Sequence, residues 1–361
     1  MRFPTQEMIF AYVLFAYLFY STIQTLVMVP YTAMSSEISN DFDERTTING
    51  TRLFFSQLSA LICAVLPLEI VQLMPDVRTG YLVMAVVFSV FFALPFIFMF
   101  FYTKERVPHN KQKGTFRLET FIEPFRVRTF RILLGIYVCS FLTMDIVSTV
   151  FAYYMKYYMN RPGELNYVLG TMLIVQTALV PLIVKLSKKI GKARTVMAAV
   201  LVWLVGVIYI GTMQTYWPGW VIYSVAAIMG IGIGGCIVMV WTMYPDVTDV
   251  GEWVFKRRNA GSFSGVMTFM RKLSAAIGIF IVSQMLALAG YIKPTFEVVD
   301  GVTRTIEHAQ PYTVITVLKF IVLVLPIVLL ALTLFFAKKY PLDHKHYVKL
   351  TGAGTGEYTF I

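Results

Sequence analysis

Apolar residues along the chain fall into runs of roughly 20, each long enough to cross a bilayer as an α-helix. There are nine: Ile9–Thr32, Phe54–Leu73, Tyr81–Phe101, Ile132–Tyr153, Tyr167–Leu186, Val196–Thr215, Val221–Trp241, Ser264–Ala289 and Tyr312–Ala337. Short polar segments separate them. This pattern predicts an all-α, polytopic membrane protein with about nine spans. Composition agrees: 57% of residues are hydrophobic and 14% charged, where soluble chains carry about 25% charged residues. The surplus apolar surface needs lipid as its solvent.

The net charge of +11 is distributed by topology and is no nucleic-acid footprint. Alternate loops and the tail hold 22 of the 31 Lys and Arg residues, the opposite set holds 7, and Arg271 and Lys272 lie within a predicted span. The positive-inside rule places the basic set, and with it the C-terminus, in the cytoplasm. A nine-span chain then begins outside, an arrangement that an odd number of additional upstream helices would relieve. The basic segment 104–131 reads as a cytoplasmic central loop between residues 1–103, three helices, and 132–338, six helices; 339–361 reads as a cytoplasmic tail.

Several chemistries are excluded. Cys63, Cys139 and Cys236 lie inside apolar runs without paired spacing, and the four histidines fall in loops or the tail, so no zinc site or disulfide framework is expected. No hydrolase constellation is present, which points away from an enzyme. Gly230–Gly235 satisfies G-x-G-x-x-G but lies inside an apolar span rather than after a strand; it reads as helix packing, not nucleotide binding. No cofactor is expected.

Three stretches carry a resemblance: VPYTAMSSEISNDFDERTTINGTRLF over Val29–Phe54, its echo MYPDVTDVGEWVFKRRNAGSFSGVMTFMRK over Met243–Lys272, and the basic, glycine-turned SKKIGKART over Ser187–Thr195. They resemble the signatures of the glycoside–pentoside–hexuronide:cation symporters, the melibiose-permease type within the major facilitator superfamily. The resemblance covers nearly all 361 residues. It implies helices IV–XII of a major facilitator fold, with helices I–III lacking. The implied function is cation-coupled symport (H⁺ or Na⁺) of a sugar or glycoside by alternating access. The implied setting is the plasma membrane (the inner membrane of a bacterial cell), as a monomer whose partners are the small-molecule sugar and the lipid bilayer, with no nucleic acid. The alternative is a truncated, non-transporting remnant or membrane sensor of the same fold. On this plan the nine-helix chain alone transports poorly, because part of the cavity wall is absent.

The candidate residues follow. Arg52 matches a sugar-contacting arginine of the family, and its forked N–H donors suit paired hydroxyls; an interfacial arginine would look the same in sequence. Lys272, one turn after Thr268, matches a lysine near the family's cation and sugar sites, and a lysine within a span normally faces a cavity or a counter-charge; Lys272 and Thr268 are candidate sugar ligands, and Lys272 a candidate for cation coupling as well. Asp145 is the carboxylate well inside a span and a candidate for cation coupling, with Lys272 as a possible partner; Arg271 reads as structural. Tyr17, Ser21, Gln24 and Met28 fall on one helical face, and Gln24 is the candidate sugar ligand there. Met28 stands where the family carries a cation-binding aspartate, and a thioether is a poor ligand for the hard Na⁺ ion. A cytoplasmic gate is expected from Asp246, Asp249, Glu252 and Arg258, with partners in Asp41, Glu44, Arg45 and the Lys188–Arg194 loop; a solvated loop with topogenic charge would carry the same residues. Tyr153, Tyr154, Tyr157 and Tyr158 read as an interfacial aromatic belt, and Tyr291–Gln310 as a polar outer loop.

Overall fold

The computed structural model describes residues 6–39, 41–103, 119–257, 259–299, 302–306 and 308–342. Among the described residues, nine helices are long and apolar enough to cross a membrane. They are α1 (Gln6–Met34), α2 (Phe42–Gln72), α3 (Val77–Tyr102), α5 (Arg128–Tyr153), α6 (Leu165–Ile190), α7 (Lys192–Thr212), α8 (Gly219–Phe255), α9 (Ala260–Leu288) and α10 (Tyr312–Lys339). A short turn, α4 (Glu119–Ile122), precedes α5. The nine apolar runs therefore correspond one to one with nine helices.

The helices overrun their apolar runs where polar ends are locally satisfied. α2 starts at Phe42, twelve residues before the apolar run, because Asp41 caps it: the Asp41 carboxylate accepts the Glu44 backbone N–H at 2.7 Å. α8 continues to Phe255, through Pro245, and ends where Lys256 adopts a left-handed conformation at φ 54°. The signature stretches are thus helical for most of their length. One part is not helical. In the outer loop, β1 (Thr295–Val299) and β2 (Val302–Ile306) pair antiparallel, with Thr295 opposite Ile306. The sequence signal for it was β-branched residues flanking Asp300-Gly301, a hairpin dipeptide.

α5 to α10 form a densely packed bundle whose core includes Trp203, Met229, Val238 and Leu318, each 3% exposed or less. Contact at the α7–α8 crossing depends on the absence of a side chain: a Cβ on Gly232 would lie 2.6 Å from the Trp203 backbone nitrogen. Small residues allow such close approach in lipid-embedded helices. α1, α2 and α3 expose far more apolar surface, for example Phe10 at 69% and Phe100 at 80%. α1 packs on α9, α2 packs on α6, α8 and α3, and the bundle is thereby joined along two seams.

The tyrosine belt is corrected by the structure. A π-turn, Tyr154–Tyr158, extends α5. It turns Tyr154 and Tyr158 inward to donate to the Ile210 and Met213 carbonyls at 2.8 and 2.9 Å. A buried phenol needs such a partner. Tyr153 and Tyr157 instead stack on each other and meet Tyr291 edge-on.

Packing at Gly232 generates a prediction. Gly232→Leu is expected to destabilise the purified protein by about 1–3 kcal/mol, the usual cost of overpacking. Gly170→Ala, at a helical glycine with nothing within 4 Å, should leave stability unchanged or slightly raised. Thermal unfolding in detergent distinguishes them, and equal melting of both variants would contradict the packing assignment.

Candidate functional site

Two polar layers cross the seams between the first three helices and the later six. The deeper one begins at α9. Lys272 reaches α1, where its Nζ donates to Thr25 Oγ1 at 2.7 Å, Ser21 Oγ at 2.8 Å and the Ser21 carbonyl at 3.2 Å. Ser264, two turns earlier on α9, donates to the Val29 carbonyl at 3.0 Å. Ser21, Thr25 and Val29 recur every four residues, so one stripe of α1 faces α9.

Asp145 has a different partner from the one considered in the sequence. Arg271, not Lys272, holds it in a two-pronged contact, Nη1–Oδ2 at 2.5 Å and Nη2–Oδ1 at 2.8 Å. The Arg271 guanidinium also lies over Phe141, 4.8 Å from the ring centre. The reason is helical direction. Arg271 and Lys272 are adjacent and therefore project about 100° apart, so Arg271 faces α5 while Lys272 faces α1. The forked guanidinium matches a carboxylate in a way an ammonium does not.

Arg52 is flanked by aromatic faces, its guanidinium 5.4 Å from the ring centres of both Tyr31 on α1 and Trp241 on α8. Tyr137 and Tyr244 extend this aromatic wall from Trp241. Arg52 thus bridges α1 and α8 by cation–π contact, and no carboxylate neutralises it among the described residues. The structure does not draw Gln24 or Thr268 into these contacts: Gln24 is exposed, Thr268 is half-buried, and neither side chain makes a hydrogen bond among the described residues. Tyr17 and Met28 are exposed as well. Thr25 was missed, although its spacing of four from Ser21 was the available signal. Tyr31 and Trp241 carried no such signal, because aromatic residues are common throughout the chain.

The second layer lies at the end of the bundle rich in Lys and Arg. Arg45, fully buried, pairs with Asp249 at 2.5 Å and donates to the Pro245 carbonyl at 3.4 Å. Lys192, also buried, donates to Asp246 at 2.7 Å and to the Thr242 carbonyl at 2.9 Å. Pro245 cannot continue the helical hydrogen-bond ladder, and the two cations take carbonyls on either side of the break. Tyr340 lies against this layer; burial first, and the Asp246 charge second, push its hydroxyl well above the ordinary tyrosine range.

Arg45 and Asp249 therefore meet across the seam, as do Lys188 and Thr47, while Lys192 of the Lys188–Arg194 segment joins Asp246 beside it within the later six helices. Asp41 and Glu44 do not cross it. Asp41 caps α2, and Glu44 accepts a hydrogen bond from Ser39; acidic groups at a helix start are held by its N–H groups and dipole. Glu252 is half-buried one turn beyond Asp249, and Arg258 lies outside the described residues. Sequence reasoning missed the pair Arg257–Glu123, which with Asn259 fastens the segment before α5 to the α8–α9 corner.

Comparison with known proteins follows the same architecture. A family model described as MFS/sugar transport protein matches residues 3–344. The isoprimeverose transporter of Lactiplantibacillus pentosus is 25% identical over 79% of this chain and 60% of its own length. The putative sulfoquinovose importer of Salmonella typhimurium is 31% identical over 78% of this chain and 60% of its own. The chain thus spans about 60% of the length of these relatives. The crystal structure of the Escherichia coli fucose:proton symporter FucP superposes with a TM-score of 0.60 at 10% identity, covering 88% of this chain and 74% of that one; that likeness concerns the fold alone.

The buried layer generates a prediction. Removing one partner of a buried ion pair leaves an uncompensated charge at a cost of about 3–5 kcal/mol. Arg45→Ala is expected to destabilise by that order, and Arg45→Ala with Asp249→Ala by less than the sum of the single losses. Unfolding of the four proteins in detergent gives the coupling directly, and strict additivity would show that the pair contributes nothing.

Proposed function

The chain belongs to the MFS/sugar transport protein family, and from that premise we propose that it carries a sugar or glycoside across the plasma membrane by alternating access, coupled to protons. The observation that carries this reading is the seam itself. Lys272 and Arg52 are cations at the junction of the two helical groups, held by hydroxyls and aromatic faces rather than by carboxylates. Hydroxyl partners are exchangeable for sugar hydroxyls at small cost, since one neutral acceptor replaces another. Aromatic faces beside Arg52 offer an apolar surface for a pyranose ring.

In this reading residues 1–103 and 132–338 are the two moving units, and the Arg45–Asp249 pair holds them together on the cytoplasmic side, with Lys192–Asp246 fixing α7 to α8 beside it. Sugar enters from the opposite side and displaces Ser21 and Thr25 from Lys272. Asp145 is the coupling group. A proton on its carboxylate cancels the charge that holds Arg271, and the freed guanidinium changes the polarity of α9 beside Lys272. Proton coupling is favoured over sodium because Met28 offers a thioether, exposed on α1, where a hard cation requires oxygen. Opening of the cytoplasmic layer then releases the sugar inside.

The test separates binding from coupling. Trp241 lies beside Arg52, so its fluorescence reports occupancy in the purified protein exposed to a panel of pyranosides. Arg52→Ala and Lys272→Ala should each weaken binding about tenfold or more, the scale of a hydrogen bond to a charged group. Asp145→Asn should bind sugar but take up no proton on binding, measured with a pH dye in weak buffer. Unchanged binding in both cation variants would remove the proposed sugar site. Proton uptake undiminished in Asp145→Asn would remove the proposed coupling residue.

A further inference from the structure

A groove of about 420 Å³ lies where α2 meets α6, away from the sugar and coupling residues. Its floor is apolar. Val180 is 1% exposed at its base, and Phe54 and Val184 line the walls. The two helices approach closely at Gly50, where a Cβ would lie 2.5 Å from Val184 Cγ2. At the basic end of the bundle the character changes. Lys185 and Lys188, one turn apart on α6 and both exposed, stand on the rim. Lys188 donates to Thr47 Oγ1 of α2 at 2.9 Å, and neither lysine forms an ion pair among the described residues.

We propose that this groove binds one anionic phospholipid, with its phosphate at Lys185 and Lys188 and an acyl chain along Phe54, Val180 and Val184. The two ends of the groove match the two ends of such a molecule. A soluble anion would leave the apolar floor uncovered, and a zwitterionic lipid would bring an ammonium beside two lysines. Basic clusters at the cytoplasmic boundary of transmembrane helices attract anionic headgroups. The site is also composite. Its walls come from α2 and α6, which lie on opposite sides of the seam closed by Arg45–Asp249, so an occupant touching both helices is held only while they stay together. Bound lipid therefore biases the protein towards the state closed at this end, by differential affinity for the two states. The inference rests on the membrane setting and not on the identity of the sugar.

Native mass spectrometry of the full chain in detergent, titrated with phosphatidylglycerol or with phosphatidylcholine of the same acyl chains, tests it. One phosphatidylglycerol per chain is expected to be retained, with phosphatidylcholine retained at least tenfold less. Lys185→Gln with Lys188→Gln should weaken phosphatidylglycerol retention about tenfold or more. Thr51→Trp, at an exposed position on the groove, keeps both lysines and should block the acyl chain; it decides the matter if the lysine variant does not fold. Phosphatidylglycerol retained equally by a folded variant of either kind, or equal retention of the two lipids, would overturn the proposal. Displacement of phosphatidylglycerol by millimolar inorganic phosphate would also overturn it, in favour of a soluble-anion site.

Discussion

A guanidinium with no solvent contact must find its charge a partner or forfeit several kcal/mol of hydration, and Arg45 is in that position. Its side chain is 0% exposed and its carboxylate partner comes from a helix 200 residues away in sequence. Lys192 and Asp246 repeat the arrangement one helical turn along α8, their side chains 4% and 2% exposed. Lipid cannot supply these contacts, and hydrophobic association between helices is weak within a bilayer because the tails are as apolar as the side chains. The relative placement of α2, α7 and α8 therefore depends on the satisfaction of these charges. Such pairs hold register more than they add stability, since each bond gained must first offset the desolvation of two ions.

The cations at and beside the seam form a series graded by partner. Arg45 and Lys192 are buried against carboxylates and backbone carbonyls. Arg271 is 31% exposed and paired with Asp145 at 14%. Lys272 touches hydroxyls and one carbonyl, and Arg52 touches aromatic rings. Exchange becomes easier along this series, because a hydroxyl or ring is replaced by a ligand group with less penalty than a buried carboxylate. In the proposed function the tight pairs define the closed state, and the replaceable contacts let a substrate compete for the site.

Most of the fold was legible as hydrophobic periodicity. Nine apolar runs gave nine membrane-length helices among the described residues because a spanning helix must be continuously apolar for about 20 residues, a constraint far stronger than any in a soluble core. The ends were less legible. Hydropathy stops at the polar residues after Trp241, but α8 does not, since its backbone bonds persist and its acids are taken up by Arg45 and Lys192. The charge pairs at the basic end were expected as a set because opposite charges had gathered on the three signature stretches. Which members cross the seam was not, since Asp41 and Glu44 have the same charge as Asp249 and differ only in standing at a helix start. Arg271 and Lys272 show the same limit: one residue of offset rotates the side chain by about 100° and exchanges a carboxylate for hydroxyls.

α2 collects these themes on one element. Arg45, Asn49 and Arg52 recur at spacings of four and three and lie on one face, while Thr47, Gly50, Thr51 and Phe54 lie on roughly the opposite one. The first face carries the buried ion pair and the aromatic-bound arginine; the second forms the lipid-sized groove against α6. A helix is stiff over such a length, so a tilt that separates Arg45 from Asp249 also displaces Arg52 relative to Trp241 and Gly50 relative to Val184. The three contacts cannot change independently. On the two proposals above, charge pairing, substrate contact and lipid occupancy are linked through the rigidity of one helix, without a chain of intermediate side chains to transmit the change.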